Sequence, residues 1–193
     1  MSETRPLSPP PQSTTTTPHL ALEELQARLR VLPAPPKDSG RVALIVARCK
    51  DGTRETPGRT ILSLEEGVPG DRWNRGTPPH PDEQLAVMRR DVAEMIANGQ
   101  PLTTFGDNLF VELDISVGNL PPGSRLRVGD AVVETTPMPH NGCAKFKSRF
   151  GQDALGFVNA RATRDQNLRG IYWKVIEPGE VSVGAAIQVL SRT

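Results

Sequence analysis

Arg125-Leu126-Arg127-Val128-Gly129-Asp130-Ala131-Val132-Val133-Glu134-Thr135 runs straight on into Thr136-Pro137-Met138-Pro139-His140-Asn141-Gly142-Cys143-Ala144-Lys145-Phe146, and its reading decides the fold. Leu126 and Val128 alternate with polar residues as in a strand with one buried face, and Gly129-Asp130 before Ala131 is a two-residue hairpin signature. A second strand ends at Thr135. The prolines 137 and 139 forbid regular structure, and Asn141 is a good N-cap for a short helix that closes at Gly151. The stretch therefore carries one cysteine, Cys143, out of a β framework and into the first turn of a helix.

A thiol in that turn faces unpaired backbone N–H groups and the positive end of the helix dipole, while Lys145, Lys147 and Arg149 add positive charge. All of these favour thiolate, which attacks electrophiles, carries sulfur and binds soft metals. His140, three residues upstream, can orient or protonate whatever is bound at the sulfur. The alternative is plain. Cys143, Phe146 and Phe150 share one helix face at i, i+3 and i+7, so the cysteine can equally be a small buried hydrophobe.

Outward from this stretch, short strands are expected at Val42 to Arg48, Thr60 to Leu64, Asn108 to Leu113, Arg125 to Val128, Ala131 to Thr135, Ile171 to Ile176 and Ala186 to Leu190. Seven such strands without a βαβ rhythm predict a mainly β, α+β domain, a barrel whose framework is interrupted by helical insertions. Helices are expected at Val87 to Asn98, closing on Gly99, at Asn141 to Phe150 and at roughly Gln152 to Ala162. Pro178-Gly179 marks a further turn. Residues 1–18, with five prolines and four consecutive threonines, read as a disordered tail. Residues 19–39 read as a helix and linker, capped by Thr17-Pro18 and carrying Leu20, Leu22, Leu25, Leu29 and Leu32. The barrel domain is expected over residues 40–193.

The 193 residues carry 23 Lys and Arg against 22 Asp and Glu, a net charge of +1, so nothing electrostatic points to nucleic acid or an acidic partner. No apolar run nears the roughly 20 residues of a membrane span, and no signal-peptide order opens the chain. A cytoplasmic protein acting on a small molecule is the expectation. Cys49 and Cys143 lie too far apart in sequence to form a paired zinc motif, and Cys49 reads as structural. Asp71 and Arg72, in a Pro/Gly loop, are candidates to hold a phosphate or a heterocycle edge. Asn108 either fixes a ligand or stitches a turn. Arg161, Arg164 and Arg169, with Asn167, form a guanidinium cluster suited to an oxyanion, or else a solvated loop.

Five segments together resemble the MOSC domains, named for the C-terminal domain of molybdenum cofactor sulfurase. They are Gly70-Asp71-Arg72-Trp73, Gln84-Leu85-Ala86-Val87-Met88, Gly106-Asp107-Asn108-Leu109, the run from Pro122-Gly123-Ser124 through Gly129 to Cys143, and Gly170-Ile171-Tyr172 through Val175 and Gly179 to Val183-Gly184. The resemblance implies a distorted closed β-barrel of about seven strands with helices packed around it, pyruvate-kinase-barrel-like, with a pocket at one end. It also implies a cysteine, here Cys143, that ligates molybdenum or carries a persulfide. Asp71, Arg72, Asn108, Asn141, Gly142, Lys145, Arg161, Arg164 and Arg169 then become candidates to hold molybdenum cofactor (molybdopterin), with His140 beside the chemistry. Similar proteins include amidoxime-reducing enzymes and free-standing bacterial members thought to detoxify hydroxylaminopurine-type bases. A pyridoxal-phosphate sulfurase is not part of this sequence, so a persulfide would come from a cysteine desulfurase, and electrons from a redox partner. There are three departures from the family pattern: Asp107 replaces a glutamate, Asn141-Gly142 replaces an arginine and proline, and Ala185 replaces a late aspartate. Two alternatives stand beside this one: Cys143 acting directly on an electrophilic small molecule, and a metal-free binding module without turnover.

Overall fold

The computed structural model describes residues 18–75 and 78–192. Eleven strands occur among them: β1 (Ser39–Ile45), β2 (Ala47–Arg48), β3 (Arg54–Glu55), β4 (Arg59–Leu62), β5 (Leu85–Arg89), β6 (Leu109–Glu112), β7 (Arg125–Val128), β8 (Ala131–Thr135), β9 (Ile171–Glu177), β10 (Gly179–Ser182) and β11 (Ala186–Ser191). The helices are α1 (Leu22–Val31), α2 (Arg90–Ala97) and α3 (Ala144–Val158). Seven strands close a barrel in the order β1-β11-β7-β8-β9-β5-β6. All its pairs are antiparallel except β5 with β6, which α2 and the following loop connect. The expected hairpin forms, with Val128 opposite Ala131.

The barrel has seven strands as expected, but one member differs. Thr60 to Leu64 is not in it: β4 pairs with β10 in a separate two-stranded sheet. The missing strand is β5, in a segment expected to open a helix at Val87. That helix starts only at Arg90 and ends with Asn98 at φ 47° and Gly99 at φ 93°. The cause is burial on both faces. Leu85 and Val87 point into the barrel, Met88 points out beneath the helices, and all are sealed, so no alternation betrays the strand.

Period-two alternation sorts the remaining apolar residues into two cores. Leu109 and Val111 join Val42, Leu126, Val133 and Trp173 inside the barrel, while Phe110 between them faces outward. The outer core lies between the barrel wall and the three helices and contains all five phenylalanines, 105, 110, 146, 150 and 157. Phe105 and Phe150 stack with centroids 4.1 Å apart. Burying each ring contributes about 1.5–3 kcal/mol, so this cluster fixes α3 on the barrel.

Two helix starts differ from expectation. α1 begins at Leu22 with Ala21 as its N-cap, and the expected cap, Thr17, and the expected tail up to residue 17 lie outside the described residues. Leu20 and Leu25 are buried against the outer core, as the leucine spacing requires. The N-cap of α3 is Cys143 itself, not Asn141. The chain kinks at Gly151 (φ 93°, ψ 169°), where the helix was expected to close, but helix resumes to Val158. His19 packs over that kink and donates from Nε2 to the carbonyl oxygen of Arg149 at 3.0 Å. Arg161–Gln166 then forms a 3₁₀ turn, where part of a regular helix was expected.

Candidate functional site

One end of the barrel gathers the end of β1 and β2, the loop at 70–73, the start of β5 and β6, the segment 139–143 and the start of β9. There a cavity of about 240 Å³ is lined by Arg48, Arg72, Lys145, Arg149, Arg169, His140, Asn141, Cys143 and Tyr172, with Phe105, Phe146 and Phe150 beneath. Cys143 is exposed to it, whereas Phe146 and Phe150 turn into the outer core. The shared-face alternative for the cysteine thus fails, because as N-cap it sits in extended conformation (φ −123°) before the helical turn begins. The backbone N–H groups of Phe146 and Lys145 lower its pKa, against a desolvation that raises it. The charges of Arg169 and Lys145 lower it further. Neither amide reaches hydrogen-bond geometry to the sulfur, so the effect is that of oriented dipoles.

The lining holds five cations and no carboxylate. Two acids stand behind it. Asp71 is buried and takes both ends of the Arg48 fork, Nε to Oδ2 and Nη2 to Oδ1, each at 2.8 Å. Burial would raise its pKa, but the hydrogen bonds and charge of Arg48 prevail and hold it below the usual carboxylate range. Asp107, fully buried, receives both its oxygens' bonds from Arg169 Nη1 at 2.9 Å. The charges of Arg48 and Arg169 are therefore matched and their positions fixed, while Arg72, Arg149 and Lys145 have no carboxylate partner among the described residues. Arg54 adds to this excess: its pKa is lowered first by burial, then by repulsion from Arg72, Arg149 and Arg48. A site with uncompensated guanidiniums converging on one opening is built for an anion.

His140 has a side chain only 6% exposed, packed against Tyr172 with ring centroids 4.3 Å apart and the planes tilted by 36°. Burial first, then the charges of Arg169 and Arg48, push its pKa well below the usual imidazole value, so it is neutral at pH 7. Its Nδ1 lies 3.7 Å from Asp107 Oδ1, beyond hydrogen-bond reach, and has no partner. Tyr172 is pushed up to about 12 by burial and by Glu83, which keeps its phenol protonated. Gly170 makes this packing feasible: at φ 106°, a Cβ there would stand 2.2 Å from the Val87 carbonyl oxygen and 3.1 Å from His140 Nδ1.

Of the residues singled out from sequence, Arg72, His140, Asn141, Cys143, Lys145 and Arg169 come together at the cavity. Asp71 and Asn108 do not face it. Asn108 stitches three segments, accepting from Ala86 N through Oδ1 and donating through Nδ2 to Val46 O and Asp71 Oδ2. Gly142 lies behind the wall, where its backbone is bracketed by the Asn159 amide and a Cβ would meet Leu155 at 2.8 Å. Arg164 lines a neighbouring cavity and Arg161 is exposed outside both. Sequence reasoning gave no site role to Arg48 or Tyr172, which it placed only within expected strands. One signal for Arg48 was available: it is the lone cation closing an apolar run from Val42 to Ala47. Cys49 is half-buried, its sulfur 3.8 Å from the Ala47 carbonyl, away from the cavity lining.

Among the described residues, no three His, Cys, Asp or Glu side chains cluster as a metal site, and no helix is long and apolar enough to cross a membrane. The protein itself thus offers a metal one soft ligand, Cys143, beside a cationic wall. That donor set fits a metal carried on an anionic organic ligand rather than one caged by side chains.

The chain is similar to several known proteins. It is 26% identical over 155 residues to the uncharacterized protein YflK of Bacillus subtilis, covering 75% of this chain and 66% of that relative's length. Among solved structures, YiiM from Escherichia coli matches at a TM-score of 0.54 and 23% identity over 79% of this chain and 71% of that one. The YuaD protein of Bacillus subtilis matches at a TM-score of 0.54 and 18% identity over 77% and 94%. At those identities the likeness is one of fold. The MOSC domain model matches residues 79–188, more than half of the sequence and most of the barrel, and the chain therefore belongs to the MOSC domain family.

Proposed function

We propose that the cavity at the end of the barrel binds molybdenum cofactor with Cys143 as the thiolate ligand, and that the bound protein reduces small N-hydroxylated molecules. The observation that carries this reading is the exposure of a pKa-lowered thiol into a cavity whose lining holds five cations and no carboxylate. Thiolate is a soft donor suited to such a metal. Arg72, Arg149 and Lys145 would hold the anionic groups of the cofactor, and Asp71 and Asp107 keep Arg48 and Arg169 aimed at it. The cofactor, when bound, supplies the two-electron redox chemistry. Around it the chain would manage protons: neutral His140 can accept one, and the Tyr172 phenol can donate a hydrogen bond. A cysteine desulfurase or a redox protein is the partner this chemistry calls for.

The test is expression in molybdate-supplied cells with an intact cofactor pathway, followed by metal analysis and pterin fluorescence on fresh protein. Wild type should contain molybdenum and pterin in near-equal amounts, and Cys143→Ser should lose the metal. The same cysteine could instead carry sulfur for the cofactor. Protein containing neither molybdenum nor pterin, whose Cys143 also takes no persulfide from a desulfurase, would rule out both forms of the reading.

A further inference from the structure

His140, Asn141 and Arg169 face a second cavity as well, of about 160 Å³, whose remaining wall includes Arg164, Asn167 and the end of α3. At roughly 30 Å³ per water it has room for a handful of heavy atoms. Its lining contains two guanidiniums and no carboxylate. Several wall groups are already engaged: the Asn159 amide holds both backbone groups of Gly142, and Asn167 Nδ2 donates to the Ile115 carbonyl at 2.8 Å. Others are not. Arg164 has no ion-pair partner among the described residues, and neither does the Asn141 amide have a hydrogen-bond partner there. Arg169, its side chain 9% exposed, is tied to Asp107 through Nη1 alone and leaves Nε without a partner. His140, 6% exposed, likewise leaves Nδ1 unsatisfied. Those two atoms are themselves sealed off; what the cavity offers a ligand is the exposed Arg164 guanidinium, the exposed Asn141 amide and the charge of Arg169, with no carboxylate in the lining.

We propose that this cavity is an oxyanion subsite: it takes the carboxylate or phosphate group of a small-molecule ligand, on Arg164, Arg169 and Asn141, while the rest of that ligand passes His140 to reach Cys143. This rests on the reading that Cys143 serves a small-molecule reaction, and narrows it to anionic substrates. Because His140 is kept neutral partly by the charge of Arg169, an anion bound there raises its titration midpoint, a readout independent of turnover.

The probes are inorganic phosphate, neutral benzamidoxime and its 4-carboxylate, titrated calorimetrically into the full chain. The carboxylate should bind roughly tenfold more tightly than the neutral parent, the usual worth of one charge-assisted contact. Arg164→Gln, a change at an exposed side chain, should abolish most of that gain, and Arg161→Gln on the same turn should not. Phosphate should raise the His140 midpoint, followed by imidazole NMR, in wild type but not in Arg164→Gln. If Arg164→Gln binds phosphate and the carboxylate as wild type does, the anion sits on Arg72 and Arg149 and the subsite is refuted; absence of any phosphate binding refutes it equally. Should neither amidoxime bind, the phosphate comparison decides alone, while the molybdenum and persulfide measurements report separately on the reaction.

Discussion

The chemistry of this chain is concentrated in how two carboxylates and one helix terminus condition their neighbours. The first-turn amides of α3, with the charges of Arg169 and Lys145, lower the pKa of the Cys143 thiol. Its alkylation by iodoacetamide should therefore rise with a midpoint below the ordinary thiol value of about 8.5. Lys145→Gln should move that midpoint upward, and a wild-type midpoint at or above the free value would contradict the geometry. Asp71→Asn keeps the shape but leaves the Arg48 guanidinium without its counter-charge beneath the cavity, a change expected to cost about 3–5 kcal/mol in denaturant unfolding. The same pair sets a pH dependence. The folded pKa of Asp71 is depressed below its unfolded value of about 3.9, so its contribution is present above that pH and is lost as pH falls through the folded value. Wild type should thus lose stability below about pH 4, and Asp71→Asn should lose less over the same interval.

At the level of elements, legibility followed exposure. The β7–β8 hairpin could be read because Leu126 and Val128 alternate with arginines that face water, and Gly129-Asp130 admits few other turns. β5 could not, because Leu85 to Met88 are buried on both sides and alternation has nothing polar to show. β4 was read as a strand, yet its exclusion from the barrel depends on pairing with β10, a partner more than a hundred residues away that sequence does not announce. The cavity was half legible for the same reason. Cys143, His140 and Lys145 come from one continuous stretch, whereas Arg48 and Tyr172 reach it from strands whose ends meet only once the barrel closes. Where β9 begins, Gly170 lets that strand approach β5 beneath His140. Gly170→Ala should cost about 2 kcal/mol or more in chemical denaturation and alter His140 titration, because strain and the Val87 contact act together. An equally stable variant with an unchanged imidazole would show that the strand yields freely.

For the whole molecule, the outer core is what joins the N-terminal segment to the site. Leu20 and Leu25 cover it from outside, and His19 lies against the kink at Gly151, touching the carbonyl of Arg149. Deleting residues 1–32 should lower the melting temperature by roughly 10 °C, on about 2 kcal/mol for each buried leucine. Scanning calorimetry would measure this, and a truncated chain that melts with the full-length protein would show that the segment is not part of the folding unit.

The barrel is sealed where β1 pairs with β11, Gly40 opposite Ile187. Its first stave therefore waits for its last: on the ribosome, Ser39–Ile45 emerges long before Ala186–Ser191 has been translated, and the cylinder cannot close until that strand has followed it out. Nascent chains stalled before residue 186 should remain protease-sensitive and dependent on chaperones, and protection should appear abruptly once the final strand clears the exit tunnel.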